Sequence, residues 1–471
     1  MKRIIALIML AALTLCLVAC GAKTPGNQGN SGNNGPAQAA ADFVIPEGGF
    51  DTNTPVTITF YHQMGQAIQE ILNTAIADFN KIYPNITVEH KTYGDYDGVR
   101  DQIKVEIPVG NQPNIAYCYP DHVALYNVAG AVQTLDSLID SEYGYSEEEK
   151  ADFVPAYYNE GRAFGDGKMY TLPIVRSTEV LYYNKTFFEK NNLSVPTTWD
   201  EMEQVCRQIK ALEPNSIPLG YDSEANWFIT MCEQYGSPYT SATGENFVFD
   251  NDTNKAFVKK FQSWYKERLV TTQALQGGYT SDLFKGADAK GSRAYMCIGS
   301  TGGATYQQPK QTNGVYEFEV GIAPIPQVDP ANPKVISQGP SICIFKDEDP
   351  QKVLASWLFV KFLTTDVVFQ ASVSMNNGYA PVIQSAEQNP IYADFLASAS
   401  TANIQAYAVK VALSQTESYY VSPAFNGSAV ARDQVGYLVQ KCLAIEGDNI
   451  DEQINKAFAE AVAECKYQSG Q

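Results

Sequence analysis

Strand-like and helix-like segments alternate through the first third of the chain, and this alternation restricts the fold more than any other feature. Residues 56–62 alternate apolar and polar side chains, as a half-buried β-strand does. Residues 68–79 then place apolar side chains at helical spacing until Pro84 ends the segment. The order repeats, with strands predicted at 86–93 and 114–119 and helices at 97–109 and 121–131. This pattern predicts a mostly parallel sheet with helices on both faces.

Polar and aromatic side chains follow the first and third predicted strands. Tyr61 and His62 end the first strand, Tyr119 ends the third, and Asp121 follows it. Ligands of such sheets bind beyond the carboxyl ends of the strands, so these side chains mark a predicted ligand site. Asp121 is equally suited to cap the helix that follows it, and both roles can hold together.

The rest of the chain continues this mixture without an internal repeat. Thr198 and Glu201 form a capping box that predicts a helix from this point to about residue 211. Other strands are predicted at 180–184, 320–323 and 341–345, and other helices around 257–268, 350–363 and 454–465. About 430 residues follow the N-terminal tract, which is more than one core usually holds. We therefore predict two domains.

The N-terminus has the pattern of an export signal. Lys2 and Arg3 precede an apolar run over residues 4–19, which is shorter than the roughly 20 apolar residues of a membrane span. The run ends in Leu-Val-Ala-Cys at Cys20, which resembles the lipobox of bacterial lipoproteins. We predict a signal peptide at 1–19, then a lipidated Cys20 and a flexible linker to residue 54. An ordinary cut near Ala19 or Ala22, with Cys20 unmodified, is the alternative.

The net charge of the chain limits the classes of partner that it can bind. The formal net charge is −19, and it becomes −21 when Lys2 and Arg3 are removed, so nucleic acid is an unsuitable partner. No second long apolar segment follows, so the lipid is the only expected membrane contact.

Seven cysteines remain after the leader and Cys20, without a C-x-x-C pair. We expect them to be buried thiols and not a disulfide framework: Cys118, Cys206, Cys232, Cys297, Cys343, Cys442 and Cys465.

Five short motifs, in this order, carry a resemblance to a known family. They are Phe-Tyr-His-Gln-Met at 60–64, Leu-Tyr-Tyr-Asn-Lys at 181–185, Pro-Thr-Thr-Trp-Asp-Glu at 196–201, Val-Gly-Ile-Ala-Pro-Ile-Pro at 320–326 and Asn-Gly-Tyr-Ala-Pro at 377–381. The chain resembles, over about residues 55–466, the extracellular solute-binding proteins of ABC importers, which include maltose-binding and glycerol-3-phosphate-binding proteins. The glycerol-3-phosphate branch is the more similar, although Tyr61 stands where that branch usually has Trp, and Pro120-Asp121 where it has Glu.

The resemblance implies an α/β, two-lobed periplasmic-binding-protein-like fold of type II, with discontinuous lobes that close on a ligand at a hinge. The N-terminal lobe is expected at 55–173 and 339–376, and the C-terminal lobe at 174–338 and 377–466. The implied partners are a small-molecule solute and the transmembrane subunits of an ABC permease. The protein is expected to be a monomer, lipid-anchored at the extracellular face of a bacterial cytoplasmic membrane, with no cofactor or metal.

The resemblance also implies a set of ligand-binding positions. They are Tyr96 and Asp121 in the N-terminal lobe, and Ser177, Ser300, Gly339, Tyr379 and Arg432 at the hinge or in the opposite lobe. Asp121 can accept hydrogen bonds from two hydroxyls, and Arg432 offers a planar fork for phosphate oxygens. Ser177 and Ser300 could donate to the same oxygens, Gly299, Gly302 and Gly303 could form an anion nest, and Arg176 is a second possible cation.

Other interpretations of the same residues remain open. Tyr96 could only cover a loop, and Trp227 could stack on a sugar ring or pack in a core. The solute is expected to be glycerol-3-phosphate or one of its diesters, with a neutral mono- or oligosaccharide as the next choice.

An enzyme is not expected. The chain has only three histidines and no metallohydrolase, G-x-S-x-G or P-loop motif. The rival hypothesis is a surface-anchored glycoside hydrolase, because a catalytic carboxylate pair cannot be recognised from sequence spacing.

Overall fold

The computed structural model describes residues 42–471. The predicted signal peptide, Cys20 and the linker as far as residue 41 lie outside the described residues. Fourteen strands occur in the described part: β1 (Val56–His62), β2 (Ile86–Thr92), β3 (Ile115–Cys118), β4 (Leu172–Pro173), β5 (Glu179–Asn184), β6 (Leu219–Tyr221), β7 (Val270–Thr272), β8 (Met296–Ser300), β9 (Gln311–Thr312), β10 (Val315–Tyr316), β11 (Val320–Pro324), β12 (Val335–Ile336), β13 (Ser341–Ile344) and β14 (Tyr419–Tyr420).

Nineteen α-helices occur in the same part of the chain: α1 (Gln66–Ile82), α2 (Tyr96–Glu106), α3 (Pro120–Asn127), α4 (Asp136–Ile139), α5 (Glu147–Asp152), α6 (Pro155–Asn159), α7 (Lys185–Lys190), α8 (Trp199–Leu212), α9 (Glu224–Tyr235), α10 (Asp252–Lys266), α11 (Gln273–Gln276), α12 (Ser281–Lys285), α13 (Pro350–Thr365), α14 (Val367–Asn377), α15 (Ser385–Gln388), α16 (Pro390–Ala397), α17 (Ile404–Leu413), α18 (Ser428–Leu443) and α19 (Ile450–Ser469). Four short 3₁₀ helices lie at Ile107–Val109, Glu160–Arg162, Thr301–Gln307 and Thr416–Ser418.

Local sequence signals account for these elements. The predicted strands at 56–62, 86–93 and 114–119 correspond to β1, β2 and β3. The capping box is confirmed, because Thr198 Oγ1 accepts from Glu201 N–H at 3.1 Å and the Glu201 side chain accepts from Thr198 N–H at 3.2 Å. Pro350 is the first residue of α13. An N–H at this position would have no acceptor within the helix, so proline breaks no hydrogen bond here.

The strands form two five-stranded sheets. The first has the order β2-β1-β3-β13-β4, and the second has the order β11-β5-β8-β6-β7. We call each sheet with its packed helices a lobe, the first and the second. Two small ribbons, β9 with β10 and β12 with β14, complete the strand pairing of the described residues.

The prediction of a mostly parallel sheet is confirmed for β1, β2 and β3 but not for either complete sheet, because both sheets are mixed. In the first, β1 is parallel to β2 and β3, but β13 is antiparallel to β3 and β4. In the second, β5 is antiparallel to β8 and β11, whereas β6 is parallel to β7 and β8. β5 is the first strand of the second sheet, and β13 is the first strand after the chain returns to the first sheet. Each of them therefore enters its sheet from the end opposite to that of its antiparallel neighbours.

Each lobe has its own apolar core. In the first, the ring of Phe79 on α1 lies 5.1 Å from that of Phe359 on α13, which in turn lies 6.3 Å from Phe60 on β1. In the second, α8, α9, α10, α18 and α19 enclose the aromatic pair of Trp227 and Phe261. Each such buried side chain stabilises the fold by about 1.5–3 kcal/mol.

Three chain segments meet side by side between the two sheets. Ser177 N–H donates to Gln338 O at 2.8 Å, and Gln338 N–H returns the bond to Ser177 O at 2.9 Å. On the other side Arg176 N–H donates to Ala380 O at 3.0 Å. We call this three-segment ladder the hinge. The chain packs in the first core as far as Ala386 and joins the second lobe at Ile404; the exact lobe boundaries stay a prediction.

The seven cysteines of the described residues are all buried and free, which confirms the expectation from their apolar surroundings. Within residues 42–471, no single helix has both the length and the apolar content of a membrane span. One pair of consecutive helices, α13 and α14, meets those criteria together but is bent by 62°.

Candidate functional site

A continuous cleft lies between the edges of the two sheets. One part of it, about 240 Å³, lies beside Arg432 and is lined by residues of both lobes. A larger part, about 740 Å³, is lined by Glu179, Asp222, Ser300 and Tyr379. We call these the Arg432 pocket and the central pocket. They share the side chains of Asn226 and Gln338.

Arg432 reaches the cleft from the second turn of α18. The guanidinium Nη2 donates to Asn226 Oδ1, its one hydrogen bond among the described residues. Burial lowers the pKa of Arg432, but the carboxylate of Asp121 and the surrounding tyrosines raise it by more, so the pKa lies above its usual value. The remaining N–H groups are free to bind an anion or a hydroxyl.

Asp121 faces this guanidinium from the other lobe. Helix α3 begins at Pro120, one residue before Asp121, and Tyr119 is its N-cap residue. The capping interpretation of Asp121 is therefore wrong, and its Oδ1 accepts instead from the N–H of His122 at 2.9 Å. With its side chain 17% exposed, Asp121 keeps acceptor positions open to the Arg432 pocket.

Buried polar atoms without partners also point to a ligand. The hydroxyl of Tyr239 has no hydrogen-bond partner in the described part of the chain, although Tyr239 lines the Arg432 pocket and is only 6% exposed. The Oε1 of Gln307, on the wall of the central pocket, is likewise unpartnered there. Such atoms usually have a partner in folded proteins, and a bound polar solute would supply one.

The central pocket contains a buried carboxyl that the sequence analysis missed. Glu179 accepts from Tyr221 Oη at 2.5 Å and from Asn226 Nδ2 at 2.9 Å. Burial raises the pKa of Glu179 from its ordinary value of 4.5 to about 7, although both hydrogen bonds and the charge of Arg432 act against that rise. The available signal was a carboxylate at the start of an otherwise apolar strand, since Glu179 opens β5.

Ser177 and Ser300, which were both predicted to belong to the ligand site, contact each other in the structure. Ser300 Oγ donates to Ser177 Oγ at 3.2 Å and accepts from Gly302 N–H at 3.1 Å. Ser300 lines the central pocket, whereas Ser177 is 3% exposed and lies behind it. The Gly302 amide of the expected anion nest is therefore already used, and the ring of Tyr379 covers this glycine.

Tyr96 and Tyr379 belong to an aromatic group on the cleft. The ring of Tyr96 lies 4.7 Å from that of Tyr119, which lines the Arg432 pocket. Burial raises the pKa of Tyr96, and the nearby phenol of Tyr379 adds to the effect. Tyr379 itself forms part of the wall of the central pocket. Neutral phenols in these positions can donate to solute oxygens and cover sugar faces.

The structure contradicts the stacking interpretation of Trp227. Its ring is 2% exposed and lies 3.9 Å from that of Phe261 in the core of the second lobe. Tyr61 is also placed away from both pockets, because its ring packs on Tyr93 at 4.8 Å and its hydroxyl contacts Glu106 at 3.5 Å. In each case the side chain packs among neighbouring side chains of its own lobe.

Gly339 and Arg176 belong to the hinge and not to the pocket walls. Gly339 has φ +116°, and a Cβ there would lie 2.6 Å from Val175 O, so a side chain is excluded. Arg176 is fully buried, with Nε 2.8 Å from Glu160 Oε2 and Nη1 2.7 Å from Pro340 O. The expectation of a second cation for the ligand is therefore wrong, because the fork is already occupied.

Comparison with known proteins identifies the class. Residues 74–400 match the family described as bacterial extracellular solute-binding protein. This protein belongs to that family, whose members are binding proteins found outside the cytoplasm.

The chain is similar to several characterised and uncharacterised relatives. It is 22% identical over 363 residues to the sn-glycerol-3-phosphate-binding periplasmic protein UgpB of Agrobacterium fabrum, covering 74% of this chain and 78% of that protein. It is 24% identical over 320 residues to a multiple sugar-binding protein of Streptococcus mutans, covering 66% and 71%. An uncharacterized ABC transporter extracellular-binding protein of Pyrococcus horikoshii is 24% identical over 280 residues, covering 56% of this chain and 58% of that protein.

Solved structures share the fold. UgpB of Mycobacterium tuberculosis, in complex with glycerophosphocholine, aligns with a TM-score of 0.70 and 17% identity over 88% of this chain and 99% of that one. The cyclic alpha-maltosyl-1,6-maltose binding protein of Arthrobacter globiformis aligns with a TM-score of 0.68 and 17% identity over 88% and 100%. These likenesses confirm the two-lobed α/β fold of type II.

Proposed function

We propose that this protein is the substrate-binding lipoprotein of an ABC importer. It captures a small polar solute between its lobes and delivers it to the transmembrane subunits of the permease. The closed, liganded form is the one that the permease binds, because a solute that touches both lobes stabilises closure. The protein acts as a monomer and catalyses no covalent step.

The observation that carries this proposal is the Arg432 pocket. Arg432 retains free donors, Tyr239 has an unpartnered hydroxyl, and Asp121 faces both from the other lobe. A guanidinium beside hydroxyl groups suits phosphate oxygens, and a carboxylate opposite suits the hydroxyls of a polyol. Glycerol-3-phosphate or one of its diesters is therefore the solute that we propose first.

A neutral mono- or oligosaccharide is the second proposed solute. The central pocket is about 740 Å³, and carboxylates and tyrosines surround it. Carboxylates accept hydrogen bonds from paired sugar hydroxyls, and aromatic rings cover sugar faces. This part of the cleft is large enough for more than a glycerol unit.

Calorimetry with both solute classes tests the proposal. Purified protein is titrated with sn-glycerol-3-phosphate, glycerophosphoglycerol and maltose, and thermal unfolding is followed at saturating solute. A true ligand at 100 times its dissociation constant stabilises the protein by about 2.7 kcal/mol. Heat from maltose alone would reject the phosphate assignment, and turnover of a chromogenic glycoside would support the rival hydrolase.

We propose five of the predicted positions as ligand-binding residues: Tyr96, Asp121, Ser300, Tyr379 and Arg432. Ser177 lies behind the pocket wall, and we propose that it acts through its hydrogen bond with Ser300. The proposed lobes remain 55–173 with 339–376 and 174–338 with 377–466, although residues 382–386 pack in the core of the first lobe just after the hinge pairing of residues 176, 338 and 380.

Lipid attachment at Cys20 is a separate proposal, supported by the sequence Leu-Val-Ala-Cys. In a membrane fraction the wild-type chain should carry acyl groups on Cys20. Cys20→Ala should release the protein into the medium, and an unchanged distribution would contradict the anchor.

A further inference from the structure

A chain of hydrogen bonds connects the two pockets through the interior of the second lobe. Tyr221 Oη donates to Glu179 Oε2 at 2.5 Å, and Asn226 Nδ2 donates to Glu179 Oε1 at 2.9 Å. The Oδ1 of the same Asn226 accepts from Arg432. The four residues come from β6, β5, α9 and α18. Glu179 therefore acts on Arg432 through a single amide.

The side-chain amide of Asn226 has one favourable orientation, and Glu179 determines it. A carboxylate accepts hydrogen bonds only, so it binds the amide nitrogen of Asn226 and leaves the amide oxygen toward the guanidinium. If the amide were reversed, its NH₂ would face the NH₂ of Arg432 and its oxygen would face the carboxylate. Both contacts would be repulsive, so Arg432 is held by the orientation that Glu179 imposes.

Glu179 also contributes charge to the cleft. Apart from the hydrogen bond with Asn226, the titratable groups that act on it are Tyr221, Asp222, Tyr420 and Arg432. Of these, only Arg432 is positive, and Asp121 already lies opposite Arg432. A phosphate bound at Arg432 would therefore experience repulsion from an ionised Glu179 in a poorly solvated environment.

We infer that Glu179 is the positioning and specificity-determining residue of the cleft: it orients Asn226 against Arg432, opposes anionic solutes as a carboxylate, and takes up a proton when an anion binds. The inference rests on the proposed function. On protonation, a proton from the solvent goes to Glu179 Oε2, this O–H donates to Tyr221 Oη, and the hydroxyl hydrogen of Tyr221 rotates away from the carboxyl group. Asn226 Nδ2 still donates to Oε1, so the amide keeps its direction while the repulsion is removed.

The raised pKa of Glu179 allows its protonation to be coupled to anion binding near neutral pH. Because burial raises its pKa to about 7, both forms are populated in the free protein. A bound anion shifts the carboxyl toward the protonated form. A neutral sugar does not add that charge, so its binding should involve little proton uptake.

Glycerophosphoglycerol is the anionic probe for the test, because its phosphodiester keeps one charge and does not itself titrate near pH 7. Calorimetry is done at pH 7 in two buffers that differ in heat of ionisation, and again at pH 6 and pH 8. If the anion makes Glu179 tenfold less acidic, the wild type should take up about 0.4 proton at pH 7. It should also bind about fivefold more tightly at pH 6 than at pH 8.

Glu179→Gln removes the titrating group and keeps the size of the side chain. This variant should show no proton uptake and equal affinity at pH 6 and pH 8. Glu233→Gln is the matched control, because Glu233 lies on the same helix as Asn226, its pKa is also raised by burial, and it lines neither pocket. The control should retain the uptake, and thermal unfolding verifies that each variant is folded.

The outcomes separate the inference from the function on which it rests. Anion binding by the wild type without proton uptake, or uptake that persists in Glu179→Gln, overturns the inference and leaves solute binding intact. Binding of maltose without any binding of glycerophosphoglycerol also overturns it. No heat from either probe would contradict the proposed solute classes themselves.

Discussion

Two arginines lie in the middle of this molecule, one fully buried and one partly exposed, and their surroundings differ. At the hinge, Arg176 is bonded to Glu160, to Ser341 Oγ at 2.8 Å and to backbone carbonyls that include Pro340 O. At the cleft, Arg432 has the amide of Asn226 as its single hydrogen-bond partner among the described residues. Both are arginines beside a carboxylate, but only the second has donors left for a solute.

The difference shows how to distinguish a structural cation from a binding one. An arginine such as Arg176, whose three guanidinium nitrogens all donate to fixed buried partners, holds its surroundings together and does not face a ligand. An arginine with free donors on a cavity wall is ready to exchange water for a solute. The sequence places Arg176 beside the predicted site residue Ser177, yet its bonds assign it to the hinge.

The largest expected effect is on stability, from Arg176→Met. This change leaves Glu160 buried without its partner, and breaking a buried ion pair in this way costs about 3–5 kcal/mol. Denaturant unfolding monitored by circular dichroism measures the loss. The double variant Arg176→Met with Glu160→Gln should recover part of it, and an equally unstable double variant would show that the pair is not the reason.

The next largest effect is on binding, from Arg432→Ala. Charge-assisted hydrogen bonds contribute about 1.5–3 kcal/mol each, so affinity for glycerophosphoglycerol should fall roughly 100-fold. Stability should change far less than in the hinge variant, because Arg432 supports one amide. Calorimetry and thermal unfolding measure the two quantities, and unchanged affinity would remove Arg432 from the site.

A smaller effect concerns the pH dependence of folding. Since the folded-state pKa of Glu179 is raised from 4.5 to about 7, its protonated form stabilises the fold below pH 4.5, and this contribution is lost as the pH rises toward 7. Glu179→Gln should remove this loss, which is about 2.5 kcal/mol between pH 5 and pH 8. Urea unfolding of both proteins at the two pH values gives the difference; identical pH profiles would contradict it.

His62 should respond in the opposite direction. Burial lowers its pKa from 6.5 to about 4, and its Nε2 is 2.9 Å from His90 Nδ1. Stability from the neutral ring is present above pH 6.5 and is lost as the pH falls toward 4. His62→Gln should flatten the acid side of the stability profile by about 2 kcal/mol between pH 7 and pH 5, and an unchanged acid limb would exclude this histidine.

The smallest effect comes from an arginine at the surface. Arg207 on α8 pairs with Glu203 and Glu267, and its side chain is 47% exposed. Exposed pairs of this kind contribute about 0–1 kcal/mol. Arg207→Ala should therefore leave solute affinity unchanged and barely alter unfolding. A loss as large as that of the hinge variant would show that arginine removal is harmful regardless of burial.

Much of the fold could be predicted from local patterns, because periodicity, caps and prolines act over a few residues. The strands and helices from β1 to α3 lie close to their predicted positions. The direction of β13 could not be predicted in this way, since it depends on where the chain returns from the second lobe. Long-range crossings of this kind leave no periodic signal in the sequence.

The candidate site was predicted less completely, and for a related reason. Asp121, Ser300, Tyr379 and Arg432 all line the cleft. Trp227 was misplaced because an aromatic residue after a polar run has the same local pattern whether its ring faces a cavity or a core. Glu179 was missed because its importance depends on burial and on partners that are distant in sequence.

The order of strands in the first sheet affects how this protein folds during its synthesis. Strand β13, which pairs with both β3 and β4, lies after the whole second sheet in the chain. A polypeptide that emerges N-terminus first must therefore keep the edge of β3 open until residue 344 has been released. The amino-terminal half is thus an incomplete folding unit for most of synthesis, because closing its sheet needs a strand that is distant in sequence, and non-local pairing of this kind is slow.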